Sequence, residues 1–469
     1  MLEGLEISII KKSEIFENRI DKSSRFDAEF FSKEYLANNR LIESKKNDLL
    51  VNLTNSIDVG FVGSMVNEYT DNGILLLQTN NIDEFHINST NKVYVNITFH
   101  EKLKKSQIYT GDILIARSGS FGKASIYQNN ETINSSDIII VRANEDKINK
   151  FFLTAFLNSD LGKKQLFRFA SGGLQGHVNL TILENLIVPI LNNDLQKLIE
   201  KLVANSFEKL ESSESKYSQS NTTLLSELNF SNWTPSLKNI SIKKLSISFL
   251  ETGRIDAEYY QPKFDELIKK LNTVRHDTLG NLVDFKKSIE PGSDAYQTEG
   301  IPFIRISDIS KFGISEPEIH LNRNEFDLDE LKPKKDTILL SKDGSVGIAF
   351  KVEEDMDLIT SSALLHLKLK TKEVLPDYLT LVLNSKLTQM QAERDAGGSI
   401  IQHWRPDEIK QVLIPILPMD VQKELSKQIQ QSFKLRKESK RLLEVAKTSV
   451  EIAIEEGEAK AMKYIKENP

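Results

Sequence analysis

The hydrophobic pattern along the chain changes period twice, in the same way each time. Short apolar runs come first: Ile74 to Leu77, Ile113 to Ile115 and Ile138 to Val141, and much later Ile338 to Leu340 and Ala363 to Leu369. Gly, Asn, Asp and Ser punctuate them, which predicts strands joined by loops. Each strand-rich region then gives way, after a Pro-containing exit, to apolar residues at heptad spacing. Val203, Leu210, Tyr217 and Leu224 fall seven apart, beside a line of Ile199, Ser206, Ser213 and Ser220. Leu425, Ser432, Ser439, Ala446 and Ala453 make the second such line, with Ile429, Leu443 and Val450 next to it. Heptad spacing predicts a coiled-coil seam. Small residues at alternate seam positions let two backbones approach, so the expectation is two long helices paired antiparallel, with Asp194 and Asp420 as N-caps. About 35 residues at 1.5 Å each make a rod of roughly 50 Å, a spacer. The plainer alternative is two core helices of a larger domain; the lack of Pro and Gly within either stretch favours the rod.

The pattern recurs because the sequence does. Arg25-Phe26-Asp27-Ala28-Glu29-Phe30-Phe31 returns as Arg254-Ile255-Asp256-Ala257-Glu258-Tyr259-Tyr260, an offset of 229. Gly73 to Ile82 (GILLLQTNNI) returns as Gly300 to Ile309 (GIPFIRISDI). Asp112 to Ile115 with Ser118 to Gly122 answers to Asp336 to Leu339 with Asp343 to Gly347. Leu157-Asn158-Ser159 matches Leu383-Asn384-Ser385, while Gly172, Gly173, Gln175 and His177 match Gly397, Gly398, Gln402 and His403. Val188 to Leu191 with Asp194 recurs as Ile414 to Leu417 with Asp420, at an offset of 226. Segments in the same order at nearly fixed spacing define a tandem duplication of a unit of about 225 residues.

Composition narrows the chemistry. At roughly 150 residues per domain, 469 residues predict two to four domains. Cys is absent, which excludes disulfides, Cys-ligated zinc, iron–sulfur clusters and thiol nucleophiles. No stretch of about 18 apolar residues occurs and the N-terminus lacks a signal-peptide pattern, so a soluble cytoplasmic protein is expected. The net charge of -6 argues against autonomous DNA binding through charge alone, although local basic patches remain compatible with it.

The motifs that mimic catalytic signatures fail in detail. Around Gly119-Ser120-Phe121-Gly122-Lys123, Arg117 and Ala124 stand where a phosphate loop needs Gly and Ser or Thr, and the second copy has Ile348 in place of the Lys. A Gly-Ser-x-Gly turn instead suits close approach of backbone N–H groups and short hydroxyls to another surface, with Arg117 and Lys342 adding positive charge; the plain alternative is a tight hairpin without a ligand. Pro406-Asp407-Glu408-Ile409-Lys410 reads as a helix cap rather than a nuclease motif. Asp27 with Glu29, and Asp256 with Glu258, are expected to bridge to Arg25 and Arg254 rather than to bind metal. His177 and His403 each follow a Gly-Gly loop without a second ligand nearby, so a phosphate contact or a helix cap suits them better than a metal. There is no Asn-Pro-Pro-aromatic methylation motif, nucleophile elbow or dinucleotide fingerprint, and no catalytic residue is expected.

The ordered set GIPFIRISDI (Gly300 to Ile309), GDILIARSGSFG (Gly111 to Gly122) and SGGLQGHVN (Ser171 to Asn179), with exits at Ile187 to Pro189 and Leu413 to Pro415 into Gln196-Lys197 and Gln422-Lys423, resembles the specificity (S) subunits of type I restriction-modification systems. The resemblance spans nearly the whole chain. It implies an α+β fold: a duplicated strand-rich target recognition domain plus long helix, with pseudo-twofold symmetry. The implied boundaries are recognition domains at 1–191 and 233–418, and helical spacer regions at 192–232 and 419–469. Each recognition domain would read half of a bipartite double-stranded DNA site, and the helices would fix the spacing. The helices would also dock two methyltransferase (M) subunits, with restriction (R) subunits joining the assembly, no membrane involved and no cofactor bound by this chain. S-adenosylmethionine, ATP and Mg²⁺ would belong to the partners. Candidate DNA-binding residues are Gln78, Asn80, Asn81, Arg117, Ser118, Ser120, Lys123, Gln175 and His177 in the first copy, and Arg305, Ser307, Lys342, Ser345, Gln402, His403 and Arg405 in the second. Gln and Asn suit adenine and Arg suits guanine. Candidate helix-pairing residues are Val203, Ser206, Leu210, Ser213, Tyr217, Leu224, Leu425, Ser432, Ser439, Ala446 and Val450. The competing reading is a two-headed protein adaptor without DNA specificity.

Overall fold

The computed structural model describes residues 7–12, 15, 27–88, 91–118, 122–170, 178–238, 240–397 and 402–469. The chain forms two compact units, residues 1–210 with 437–469 and residues 211–436.

Unit one carries β1 (Asn47–Leu49), β2 (Thr54–Val59), β3 (Tyr69–Thr70), β4 (Ile74–Leu77), β5 (Val93–Val95), β6 (Gln107–Ile108), β7 (Ile113–Ala116), β8 (Ala124–Ile126), β9 (Ile133–Ser135), β10 (Ile138–Ala143) and β11 (Ile187–Pro189). One antiparallel sheet has the order β2-β10-β7-β8, a second the order β3-β5-β4-β9-β6, and β1 pairs with β11. In the second sheet β4 and β9 run parallel. The unbroken apolar runs follow from burial on both faces of the first sheet. Ile113, Ile115, Ile139 and Val141 pack with Phe152 and Phe156 of α2 (Lys150–Asn158), which follows α1 (Lys33–Glu43); the alternate residues Leu114, Ala116, Ile138 and Ile140 pack with Leu77 and Ile82.

Unit two repeats this plan with β12 (His276–Thr278), β13 (Val283–Lys287), β14 (Ile301–Ile304), β15 (Ile309–Ser310), β16 (Gly313–Ile314), β17 (His320–Leu321), β18 (Ile338–Ser341), β19 (Ala349–Lys351), β20 (Ile359–Thr360), β21 (Leu364–Leu369) and β22 (Leu413–Pro415). The order β13-β21-β18-β19 matches the first sheet of unit one, β14 and β20 are again parallel, and β12 pairs with β22. Ile338, Leu340, Leu365 and Leu367 face one core, Leu339 and Leu364 the other.

The repeated sequence motifs recur as the same hydrogen bonds. Asn158, the last residue of α2, accepts from Ala124 N–H at 3.0 Å and donates to Ala124 C=O at 2.7 Å. Asn384 does the same to Ala349, at 3.1 and 2.7 Å. Gln165 in α3 (Asp160–Phe169) brackets Ile187 by both amide atoms, at 2.9 and 3.2 Å. Gln391 brackets Leu413 likewise, at 3.1 and 2.8 Å. Each amide, buried at Asn158, Gln165 and Gln391 and half-buried at Asn384, pairs both its donor and its acceptor with a strand backbone, which is why the residue type recurs.

The long helices are α4 (Asn193–Glu227, 35 residues) and α8 (Met419–Glu455, 37 residues). The N-cap of α4 is Asn192 rather than Asp194: Asn192 Oδ1 accepts from Leu195 N–H at 2.8 Å, and Asp194 and Asp420 sit inside the first turns, favourably placed for the helix dipole. In unit one, the Ser206 and Ser439 hydroxyls meet at 2.8 Å, and Asn192 N–H donates to Glu458, beyond the end of α8, at 2.8 Å, so the two helices run antiparallel. The helices between are α5 (Pro262–Leu271), α6 (Pro376–Asn384) and α7 (Lys386–Asp395), and α9 is Glu458–Glu467. In unit two, Ser213 meets Ser432 at 3.0 Å and Ser220 donates to Gln428 at 3.1 Å, again antiparallel. Val203, Ala446 and Val450 are buried in one core, and Tyr217, Leu224 and Leu425 in the other; Leu210 is half-buried.

Candidate nucleic-acid interface

In unit one, strand β4 ends in a turn, Thr79 to Asn81, whose start is fixed by Asn81. Its Oδ1 accepts from Gln78 N–H at 2.8 Å, and its Nδ2 donates to the carbonyls of Asn88 and Asn91 at 2.8 and 3.1 Å. Asn81 is buried, so both ends of its amide are committed inside the protein. The expectation that it reads a base is corrected here: it holds the turn that presents its neighbours. Asn80 is exposed, and Gln78 is half-buried with its amide donating to Tyr69 Oη at 3.2 Å.

The strand β7 exit is joined to that turn through one residue, Asp137. Asp137 Oδ1 accepts from Arg117 Nη1 at 3.0 Å, its Oδ2 accepts from the Ser118 hydroxyl at 2.9 Å, and its backbone carbonyl accepts from the Thr79 hydroxyl at 3.0 Å. Asp137 has φ of 53°, a left-handed conformation that Asp tolerates better than most residues. Among the described residues Arg117 Nε is buried without an acceptor. Lys123 pairs with Asp83 at 3.0 Å. Ser120, Gln175 and His177 lie outside the described residues.

Unit two builds the same corner with different chemistry. Asp308 accepts from Arg305 N–H at 2.8 Å and from the Ser307 hydroxyl at 2.9 Å, the counterpart of the Asn81 turn. No carboxylate among the described residues pairs with the Arg305 guanidinium, whose Nε is likewise buried and unpartnered. Lys342 pairs with Asp343, which also receives His403 Nδ1 at 2.8 Å. Backbone bonds from Gly344 N–H to Gln402 C=O and from Trp404 N–H to Lys342 C=O, at 2.8 and 2.7 Å, join the two loops, as Val178 N–H to Arg117 C=O does in unit one at 3.1 Å. Ser345, Gln402 and His403 are exposed. Arg405, also exposed, pairs with Glu408, whose carboxylate accepts from Arg405 N–H at 3.1 Å. Glu408 thus caps the short helix Pro406–Lys410 as its spacing suggested. Arg254 pairs with Asp256 at 2.6 Å and holds its carboxyl below the usual range. Among the described residues no group of three or more His, Asp or Glu is placed to hold a metal ion, and no helix is long and apolar enough to cross a membrane.

Sequence patterns did not single out Asp137; an Asp between two buried strands is its only local mark. They also missed how the loops that follow the β4 and β14 turns dock on the long helices. In unit one Glu84 takes Lys447 of α8 at 2.8 Å and also Lys163, while His86 packs edge-on to Phe207 at 4.7 Å. Burial alone would raise the Glu84 pKa, but the two ammonium groups override it and hold the carboxyl below its ordinary value. In unit two Phe312 packs on Tyr217 at 5.0 Å and under Arg436 at 3.9 Å.

Two strand-rich units of one plan, each leading into a long helix, define a tandem two-domain protein. The family model for the type I restriction modification DNA specificity domain matches residues 62–219 and 268–446. The type I restriction enzyme EcoBI specificity subunit of Escherichia coli is 20% identical over 343 residues, covering 70% of this chain and 67% of that protein. The putative type I restriction enzyme MjaX specificity subunit of Methanocaldococcus jannaschii is 24% identical over 400 residues, covering 81% and 85%. The S subunit of a type I restriction-modification system from M. genitalium is similar at a TM-score of 0.38 and 14% identity, over 90% of this chain and 95% of that one. The chain belongs to the type I restriction modification DNA specificity domain family and carries the domain twice. It is a specificity subunit, not a catalytic one.

Proposed function

We propose that each unit reads one half of a bipartite double-stranded DNA site, through the corner formed by the β4 and β7 exits in unit one and the β14 and β18 exits in unit two. The observation that carries this reading is the difference between the corners on a common frame. The same backbone bonds present Gln78 and Asn80 in one and Arg305 and Ser307 in the other, as two readers of unlike half-sites require. Recognition domains at 1–191 and 233–418, with helical regions at 192–232 and 419–469, are the working division. The helices set the spacing between half-sites and dock two methyltransferase subunits, to which restriction subunits add; S-adenosylmethionine, ATP and Mg²⁺ belong to those partners. The acidic net charge fits a division of labour in which partners grip the backbone while this chain reads bases. Co-expression with its methyltransferase in a methylation-free host, followed by long-read mapping of N6-methyladenine, tests this. Methylation at one split motif that disappears without this chain is expected; a folded methyltransferase that gives no such motif overturns the proposal.

A further inference from the structure

Resting on that reading, we infer that Asp137 is a specificity-determining positioning residue of unit one: it clasps the Arg117 guanidinium, the Ser118 hydroxyl and the Thr79 turn into one fixed, charge-compensated reader. The three bonds, at 3.0, 2.9 and 3.0 Å, join the two loops that carry the candidate readers of this unit. The ion pair is open to solvent, with side chains 28% and 38% exposed, and such pairs add little to stability. Its consequence is orientation and charge. A guanidinium already paired is withheld from phosphates, and its remaining N–H groups keep one aim, so it discriminates between base edges rather than attracting any duplex. Among the described residues unit two shows no such clasp. Ser136 N–H bonds Leu77 C=O and Ser361 N–H bonds Ile304 C=O, both at 2.8 Å, which aligns Asp137 with Ser362; there the loop cation Lys342 is held by its own neighbour Asp343. The effect of Asp137 is therefore confined to one half-site, and the other half is an internal control.

The test compares the wild-type and Asp137→Asn complexes with the methyltransferase. Asn also tolerates the left-handed backbone, so the change removes the charge while keeping the turn. Two readouts apply: the methylated motif by long-read mapping, and the salt dependence of binding to a short duplex lacking that motif. In Asp137→Asn, discrimination in one half of the motif is expected to fall about tenfold or more, within the range that a single base pair contributes, with the other half unchanged. The slope of log K against log salt should steepen by about 0.9, the value for one newly available cation, and Arg117→Gln in the same chain should return it. In case Asp137→Asn does not fold, Arg117→Gln alone should blur the same half with no change of slope. A motif intact in both halves, equal loss in both, or an unchanged slope in Asp137→Asn would overturn the inference. A wild-type complex that methylates no split motif would instead overturn the function proposed above.

Discussion

Ser206 and Ser439 meet hydroxyl to hydroxyl at 2.8 Å, both buried in the seam between α4 and α8. A small polar pair there does two things: it lets the backbones approach, and it satisfies each hydroxyl with the other. Removing one partner leaves the other buried without it, so Ser206→Ala is expected to cost about 1–2 kcal/mol, while Ser206→Ala with Ser439→Ala together should be closer to neutral. Ser206→Leu overfills the seam and should cost about 1–3 kcal/mol or more. Urea denaturation of the wild type, Ser206→Ala, Ser439→Ala, the double variant and Ser206→Leu measures these costs, and a double variant as damaged as the sum of the two Ala singles would refute the pairing.

The amide clamp gives a sharper loss. Asn384 satisfies both the N–H and the C=O of Ala349, and Asn384→Ala leaves two strand-backbone groups without partners. At about 1–3 kcal/mol for each, the expected cost is roughly 2–6 kcal/mol. Asn158→Ala should behave alike through Ala124. Thermal unfolding of either variant with a midpoint close to wild type would show the clamp to be dispensable.

These clamps explain why so much of the fold was legible in the sequence. Leu157-Asn158-Ser159 and Leu383-Asn384-Ser385 recur because one hydrogen-bonding geometry demands one residue type, and buried strands advertise themselves by unbroken apolar runs. The seam was readable for a similar reason, since its period is imposed by the helix. The recognition corners were less so. Asn81 looked like a base reader because Asn is apt for adenine, yet its amide is absorbed by a turn. Asp137 and the Glu84–Lys447 contact depend on residues brought together from 20 and 363 positions apart, and no local pattern encodes them.

His366 is expected to make unit two acid-sensitive. It lies buried in β21 with Nε2 2.8 Å from the Thr360 hydroxyl, and burial, with the nearby Lys286 charge, pushes its pKa down from 6.5 to about 4. Between those values the unfolded chain binds a proton that the folded chain refuses. The stability contribution is therefore complete above about pH 6.5 and lost as the pH falls toward 4, by at most about 1.4 kcal/mol per pH unit and roughly 3 kcal/mol in all. His366→Gln keeps a hydrogen-bonding partner for Thr360 without the titration. Denaturant melts from pH 7 to 4 should fall less steeply for the variant; parallel curves would exclude His366 as the source.

Arg305 is the most exposed test of the reading in unit two. Its backbone is fixed by Asp308 at 2.8 Å, its guanidinium has no carboxylate partner among the described residues, and its Nε is unpartnered. A fixed stem with a free fork suits bidentate recognition of guanine, worth about 1–3 kcal/mol against a wrong base. Arg305→Ala is expected to make one position of a single half-site degenerate, with about 5- to 150-fold less discrimination there, while the half read by unit one stays intact. Arg305→Lys keeps the charge without the fork, so it should preserve much of the affinity but little of the selectivity. Mapping the methylated motif of each variant complex decides it. Loss of methylation at every site alike would assign Arg305 to the phosphate backbone, and a motif unchanged in both halves would remove it from the interface.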